Sequence, residues 1–309
     1  MTAILHVGDP ERGALWQSVF ARELPDVTFL TEDDPREGHD IRYLIAWVLN
    51  EELVAALPEL EILFSIGAGV DQLDLSAVPD HVRVVRMIES GITNTMAEYI
   101  AMATLAAHRD LPHYIAAQRA NQWSPREVLL CSERSVGVMG LGELGRASID
   151  RLKPMGFQLN GWSRSGHEIE GVNGFAGADG FDAFLAASNI VICLLPLTDQ
   201  TRGILCRDLF AKMQRGATLI NAARGGHLVQ NDLIEALDSG QLSQAFLDVC
   251  TPEPLPQGHP FYQHPGIFLT PHIAGVTRKE TAVHSLIANL RREMAGEPLD
   301  GEIDRGRGY

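Results

Sequence analysis

An apolar run, Ser135–Met139, ends directly in Gly140-Leu141-Gly142-Glu143-Leu144-Gly145, and an amphipathic stretch, Leu144–Lys153, follows at once. This order of strand, glycine-rich turn and helix constrains the chain more than any other feature, because each glycine meets a separate physical requirement. Gly140 makes the tight turn, Gly142 lets backbone approach a ligand, and Gly145 lets helix and strand pack closely. The helix start then presents unpaired N–H groups and a partial positive charge. Together these describe a pyrophosphate cradle for a dinucleotide; the alternative is a ligand-free structural turn.

The end of the next strand, Phe157–Trp162, selects the nucleotide. An NAD site usually carries Asp or Glu there, roughly 20 residues past the glycines, to accept from the ribose 2′-hydroxyl. Here the tip reads Gly161-Trp-Ser163-Arg164-Ser165, with no acid. Ser163 and Ser165 can donate, and Arg164 can form charge-assisted bonds to a 2′-phosphate. The expected cofactor is NADPH (NADP), with NADH possible; a solvated surface arginine is the alternative for Arg164.

Strand–helix alternation extends over most of the chain. Ile4–Val7, Val27–Leu30, Tyr43–Val48, Ile62–Ile66 and Val82–Met87 read as strands, with helices at Ala14–Glu23 and Glu51–Leu57. Beyond the glycine turn, Phe181–Ala187 and Asp232–Asp238 read as helices, the latter stopped by Gly240. Ile190–Leu194, Thr218–Asn221, Gln244–Val249 and Gly266–Leu269 read as strands. This alternation argues for parallel sheets with helices on both faces. Between the two series, Ile92–His108 reads as one long helix with Asn94 or Thr95 as N-cap. It is apolar nearly all round, so core or a second subunit must cover it. A last helix is expected over Lys279–Met294. At 309 residues the chain has length for two domains. The expected fold class is α/β, with two Rossmann-like/flavodoxin-like parallel-sheet domains. Residues 1–93 and 280–309 form a substrate domain into which a cofactor domain, 94–279, is inserted.

Charge and cysteine content exclude several classes of function. Asp plus Glu is 40 against 25 Lys plus Arg, a net of −15. Residues 1–98 hold 18 acids and 6 bases, so this third repels polyanions, and nucleic-acid binding is not expected. None of Lys153, Lys212 and Lys279 follows a glycine-rich loop, which argues against P-loop chemistry. Cys131, Cys193, Cys206 and Cys250 form no C-x-x-C pair and no zinc spacing, so no metal is expected. Cys193 reads as core, and the set fits a reducing, cytoplasmic compartment. Met1–Pro10 lacks the basic and apolar regions of a signal peptide, and no stretch suggests a membrane partner.

Three polar residues stand at strand ends in the second series: Arg224 after Thr218–Asn221, Glu253 after Gln244–Val249, and His272 after Gly266–Leu269. In a parallel sheet these carboxyl ends share one edge, beside the cofactor crevice. Singly, each is more simply a solvated or structural residue. As a set with Gly67-Ala-Gly69-Val70-Asp71, the glycine turn, Leu194-Leu195-Pro196-Leu-Thr198, Asn221-Ala222-Ala223-Arg224-Gly, Leu247-Asp248-Val and Pro271-His272-Ile-Ala-Gly275, they resemble the D-isomer-specific 2-hydroxyacid dehydrogenase family over essentially the whole chain. Trp162-Ser-Arg164, Glu253-Pro-Leu-Pro and the ending Asp304-Arg-Gly-Arg-Gly-Tyr309 resemble its glyoxylate/hydroxypyruvate reductase A branch.

The resemblance implies NADPH-dependent reduction of glyoxylate to glycolate and of hydroxypyruvate to D-glycerate. It implies His272 as general acid, the role suited to a side chain whose unperturbed titration lies near neutrality. Glu253 would fix the imidazole tautomer and stabilise the charged ring. Arg224 would clamp the substrate carboxylate and the growing oxyanion. Backbone N–H groups of Ala68, Gly69 and Val70 would hold the carboxylate, with Trp47 beside it or simply in the core. Asp248 would bond the nicotinamide carboxamide, or else face water. Leu195, Pro196 and Thr201 would line the adenine and ribose, and Ala222, Ala223 and Gly275 join the cofactor contacts. A homodimer is expected. His227 and His264 read as surface. Rival readings are a dehydrogenase of another 2-hydroxy acid, such as 3-phosphoglycerate or a bulkier keto acid, and a non-enzymatic dinucleotide-sensing corepressor.

Overall fold

A computed structural model describes residues 2–49 and 51–306, so the last three residues of the Asp304–Tyr309 ending lie outside it. The chain divides into two units, one running to Ile92 and resuming at Val276, the other spanning Thr93–Gly275.

The first unit contains β1 (Thr2–His6), α1 (Pro10–Glu23), β2 (Thr28–Leu30), β3 (Asp40–Ala46), α2 (Glu51–Ala55), β4 (Ile62–Ser65) and β5 (Arg83–Val85). Its sheet runs β2-β1-β3-β4-β5, every pair parallel. That is the flavodoxin-like order. β4 is buried at every residue, which explains its unbroken apolar run. Asp9 accepts from the Glu11 amide and Pro10 occupies the first turn, so α1 starts where its sequence says. Arg305 donates to the carbonyls of Val78, Pro79 and Val82, fastening the returning chain to this unit.

The second unit contains α3 (Ser90–His108, which begins in the first), α4 (Leu111–Arg119), β6 (Ser135–Met139), α5 (Glu143–Leu152), β7 (Gln158–Ser163), β8 (Asn173–Ala176), α6 (Phe181–Ala186), β9 (Ile190–Cys193), α7 (Arg207–Lys212), β10 (Ala217–Asn221), α8 (Gln230–Asp238), β11 (Leu242–Leu247) and β12 (Ile267–Leu269). Helix α9 (Lys279–Ala295) returns the chain to the first unit. The second sheet runs β12-β11-β10-β9-β6-β7-β8, all parallel, a Rossmann order whose direction of growth reverses between β6 and β9. Successive strand residues face opposite cores. Met139, Val191, Cys193, Leu219 and Leu247 pack under α6, α7 and α8, while Val138, Ile192, Ile220 and Phe246 pack under α3 and α5. Burial pushes the Cys193 thiol up to about 12, and all four cysteines are free thiols.

One expectation about α3 needs correction. It starts at Ser90, not at Asn94 or Thr95, because the cap comes from the buried carboxylate of Glu89. That carboxylate accepts from the amides of Gly91 and Ile92, and also from the Arg278 amide and the Thr281 hydroxyl at the start of α9. One acid therefore serves the first turns of both helices. Replacing Glu89 by alanine leaves several buried donors without their acceptor. The expected cost is about 3 kcal/mol, read as a lowered urea midpoint. Along α3, Asn94, Glu98, Met102 and Leu105 form an exposed stripe. Among the described residues no helix is long and apolar enough to cross a membrane.

Candidate functional site

The loops that leave the carboxyl edge of the second sheet carry the predicted residues. Gly140 has φ +100°, and a Cβ there would meet the Leu194 carbonyl at 2.7 Å. A Cβ on Gly145 would lie 1.9 Å from the Gly140 carbonyl, so the α5 start cannot take a side chain at that position. A Cβ on Gly142 would meet nothing within 4 Å. The N-cap of α5 thus presents bare backbone to open space, with Leu141 buried behind it and Glu143 exposed at its side. Open space in front of the first-turn amides is what a pyrophosphate requires, so the cradle fits a dinucleotide.

At the tip of β7, Ser163 is buried and its hydroxyl lies 3.0 Å from His167 Nδ1. Arg164 is exposed, and its guanidinium donates to Gln200 Oε1 at 2.9 Å, with Ser165 exposed beside it. Past β9, Leu195 is buried, while the Thr201 hydroxyl donates to the Pro196 carbonyl at 2.7 Å and shapes that loop.

The acid–base pair is formed by loops from neighbouring strands. His272 Nδ1 lies 2.7 Å from Glu253 Oε2. An ionised carboxylate only accepts, so the proton belongs on Nδ1, and Nε2 is left for a substrate. The other oxygen of Glu253 accepts from the Cys250 amide at 2.8 Å, which fixes the carboxylate in place. Burial, with Glu253 and Asp248 adding to it, pushes the Cys250 thiol up to about 11, so it stays protonated and is no competing nucleophile at neutral pH.

His272 sits at φ +55°, a left-handed conformation uncommon for a residue with a side chain. Asp248 holds it there. The Asp248 carbonyl accepts from the His272 amide, and its carboxylate accepts from the Thr270 hydroxyl and from the amides of Ile273 and Ala274. Thr270 is in turn 2.8 Å from the Tyr99 hydroxyl on α3. Asp248 is only 2% exposed, so the alternative of a strand-end acid facing water is overturned: its partners are the loop that carries His272.

Arg224 follows β10 in extended backbone, with Ala222 and Ala223 buried before it. Its guanidinium donates to the Ala223 carbonyl at 2.8 Å. A Cβ on Gly225 would sit 1.9 Å from the Cys250 carbonyl, so the glycine lets the Arg224 segment press against the loop that holds Glu253. The structure therefore brings Arg224, Glu253 and His272 onto adjoining loops. Asn221 was not singled out in the sequence; it donates to the Arg224 carbonyl and accepts from the Ala223 amide, and so shapes the turn.

The first unit carries its own group of candidates. Ser65 donates to the Gly69 carbonyl and accepts from the Gly67 amide, which rounds the turn after β4. Among the described residues, the amides of Ala68, Gly69 and Val70 meet no acceptor. Trp47 is 43% exposed and lies over Gly67, where a Cβ would clash with its ring, so plain core packing is overturned. The two histidines read as surface are also corrected. His264 is half-buried against Asp238, and His227 is fully buried.

Residues 101–274 match the model of the D-isomer specific 2-hydroxyacid dehydrogenase NAD binding domain. The chain belongs to the D-isomer specific 2-hydroxyacid dehydrogenase family. It is 36% identical over 300 residues to glyoxylate/hydroxypyruvate reductase A of Serratia proteamaculans, covering 95% of this chain and 96% of that one. The Yersinia enterocolitica enzyme of the same name is 37% identical over 273 residues, 86% of this chain and 87% of that one. A family member from Xanthobacter autotrophicus, solved with NADPH and MES, superposes with TM-score 0.91 at 36% identity, covering 99% of each chain. The NADPH-dependent glyoxylate/hydroxypyruvate reductase of Sinorhizobium meliloti, solved with NADP and sulfate, gives 0.89 at 35% identity, covering 100% of this chain and 99% of that one. As a 2-hydroxyacid dehydrogenase, the protein is an NAD(P)-dependent oxidoreductase, and the two parallel sheets are those of its family.

Proposed function

We propose that this protein reduces small 2-oxo acids with NADPH, taking glyoxylate to glycolate and hydroxypyruvate to D-glycerate. The observation that carries the reading is the 2.7 Å pair of His272 and Glu253, set on loops that adjoin Arg224. When bound on the glycine turn, NADPH supplies the hydride. His272 Nε2 delivers the proton to the carbonyl oxygen, while Glu253 holds Nδ1–H and stabilises the imidazolium form. Arg224 clamps the carboxylate and the oxygen on which charge grows. The unsatisfied amides of residues 68–70 take the substrate carboxylate, and Trp47 excludes water beside it. Asp248 holds the His272 loop and offers its remaining acceptor capacity to the nicotinamide carboxamide, with Gly275 nearby in sequence. Leu195, Pro196 and Thr201 line the nucleoside, and Ala222 and Ala223 keep the floor of the site free of bulk.

The preference for NADPH rests on Arg164, with Ser163 and Ser165 beside it. Arg164→Ala removes a charge-assisted contact worth ~1.5–3 kcal/mol, so KM for NADPH rises about 10- to 150-fold while KM for NADH holds. Equal losses with both cofactors would show that Arg164 does not read the phosphate. A homodimer is part of the same reading. What supports it is apolar surface at Met102, Leu105, Leu111, Tyr114 and Trp123, the last 98% exposed. Sedimentation of a single monomeric species at micromolar concentration would remove it.

The direct test mixes the protein and NADPH with a panel of 2-oxo acids and follows the nicotinamide absorbance. Glyoxylate and hydroxypyruvate should be consumed fastest. Faster turnover of 3-phosphohydroxypyruvate or of a bulkier keto acid would reassign the substrate, and NADPH binding without turnover of any acid would remove the enzyme reading.

A further inference from the structure

His227 is an ionisable side chain at 0% exposure that the proposed chemistry leaves without a task. It ends the 3-10 turn Gly225–His227, followed by the buried Leu228, and its carbonyl accepts from the amide of the buried Leu205. A polar ring in such surroundings is costly unless its nitrogens are bonded. Both are placed against carbonyl oxygens. Nδ1 lies 3.1 Å from the Arg224 carbonyl and Nε2 lies 3.2 Å from the Pro196 carbonyl. A carbonyl oxygen only accepts, so the neutral ring donates to one of the two and the protonated ring to both.

These carbonyls belong to different loops. Pro196 follows β9, in the segment whose shape depends on the Thr201 hydroxyl, and Arg224 follows β10. Parallel pairing of the two strands ends at Asn221 and Cys193. Beyond that point, backbone bonds from Gly203 to Gly226 and from Leu205 to His227 tie the 3-10 turn to the 203–205 segment. The His227 amide also donates to the Arg224 carbonyl, but none of these backbone bonds reaches Pro196. The His227 ring reaches both.

We propose that His227 is a positioning residue: its buried ring cross-links the Pro196 loop to the Arg224 backbone and so sets the guanidinium against the substrate. An apolar residue would fill the space equally well, but it would take away the N–H that the ring offers to these two buried carbonyls. The proposal rests on the reading of Arg224 as the substrate clamp.

The experiment is a double-mutant cycle. His227→Phe keeps the volume and removes the ring's N–H donor capacity. It should lower kcat/KM for glyoxylate about 10- to 100-fold, since misplacing a clamp by about 1 Å has effects of that order. In the Arg224→Ala background the same substitution should change kcat/KM less than about 2-fold, because its route of action is gone. His227→Gln, which retains one donor, should fall between His227→Phe and the wild type. Equal fold-losses in both backgrounds, or wild-type kcat/KM in a folded His227→Phe protein, would overturn the proposal.

Amide hydrogen exchange gives a second readout that needs no substrate. In His227→Phe, segments 194–201 and 222–228 should exchange at least about 10-fold faster, with the rest of the chain unchanged. Unchanged exchange in both segments would show that the ring clamps nothing, whatever the enzyme reduces. Failure of the functional reading looks different: Arg224→Ala alone would then turn over like the wild type, while the exchange result stands.

Discussion

His272→Ala lowers kcat/KM for glyoxylate by ~10²–10⁴-fold, the range supplied by general acid catalysis, and leaves the dissociation constant for NADPH within a few-fold of the wild type. The asymmetry follows from placement. The imidazole stands on the loop after β12, paired with Glu253, whereas the bare backbone that fits a pyrophosphate lies after β6, four strands across the sheet. Removing the ring takes away the proton donor and leaves that backbone untouched. Glu253→Gln should fall short of the same loss. The amide can still accept from Nδ1–H and hold the ring, but it carries no charge to complement the imidazolium. Wild-type turnover by His272→Ala, or a loss confined to the NADPH constant, would remove His272 from the chemistry.

Arg224→Ala should show a different signature. Its guanidinium is proposed to meet both the carboxylate, present in the ground state, and the oxygen that gains charge in the transition state. KM for the 2-oxo acid therefore rises and kcat falls together, with ~10²–10³-fold lost in kcat for the oxyanion contact alone. Arg224→Lys keeps the charge but not the planar fork, so it should recover only part of the loss. The measurement is steady-state kinetics at saturating NADPH. A rise in KM with kcat intact would limit Arg224 to ground-state binding of the carboxylate.

The sheets and the glycine turn were legible in the sequence because their signals are local. Buried parallel strands write continuous apolar runs, as in Ile62–Phe64 and Ile190–Cys193, and each glycine of the turn answers a constraint within a few residues of itself. Elements with weak local signals were missed. β8 is an exposed edge strand, Asn-Gly-Phe-Ala, with no alternation to detect. α7 has six residues, and α4 starts from Asp110 in a left-handed conformation. The α3 boundary went wrong because a conventional N-cap preference for Asn or Thr lost to Glu89, whose carboxylate is also held by Arg278 and Thr281, far away in sequence.

The same division runs through the site. The order of Arg224, Glu253 and His272 at successive strand ends could be read directly, because a parallel sheet sends all its carboxyl ends to one edge. What holds them could not. Asp248 is buried by bonds to a loop some two dozen residues later, and His227 by a carbonyl 31 residues earlier; neither partner leaves a mark near the residue concerned. Polar residues of this kind look solvated in a sequence because most of their partners are backbone atoms, which every residue possesses.

The most direct test of the account is the product itself. Incubated with hydroxypyruvate and NADPH, the protein should yield glycerate in a one-to-one ratio to the NADPH consumed, and chiral chromatography should show it to be D-glycerate. L-glycerate as the product, or NADPH loss without any glycerate, would contradict the account.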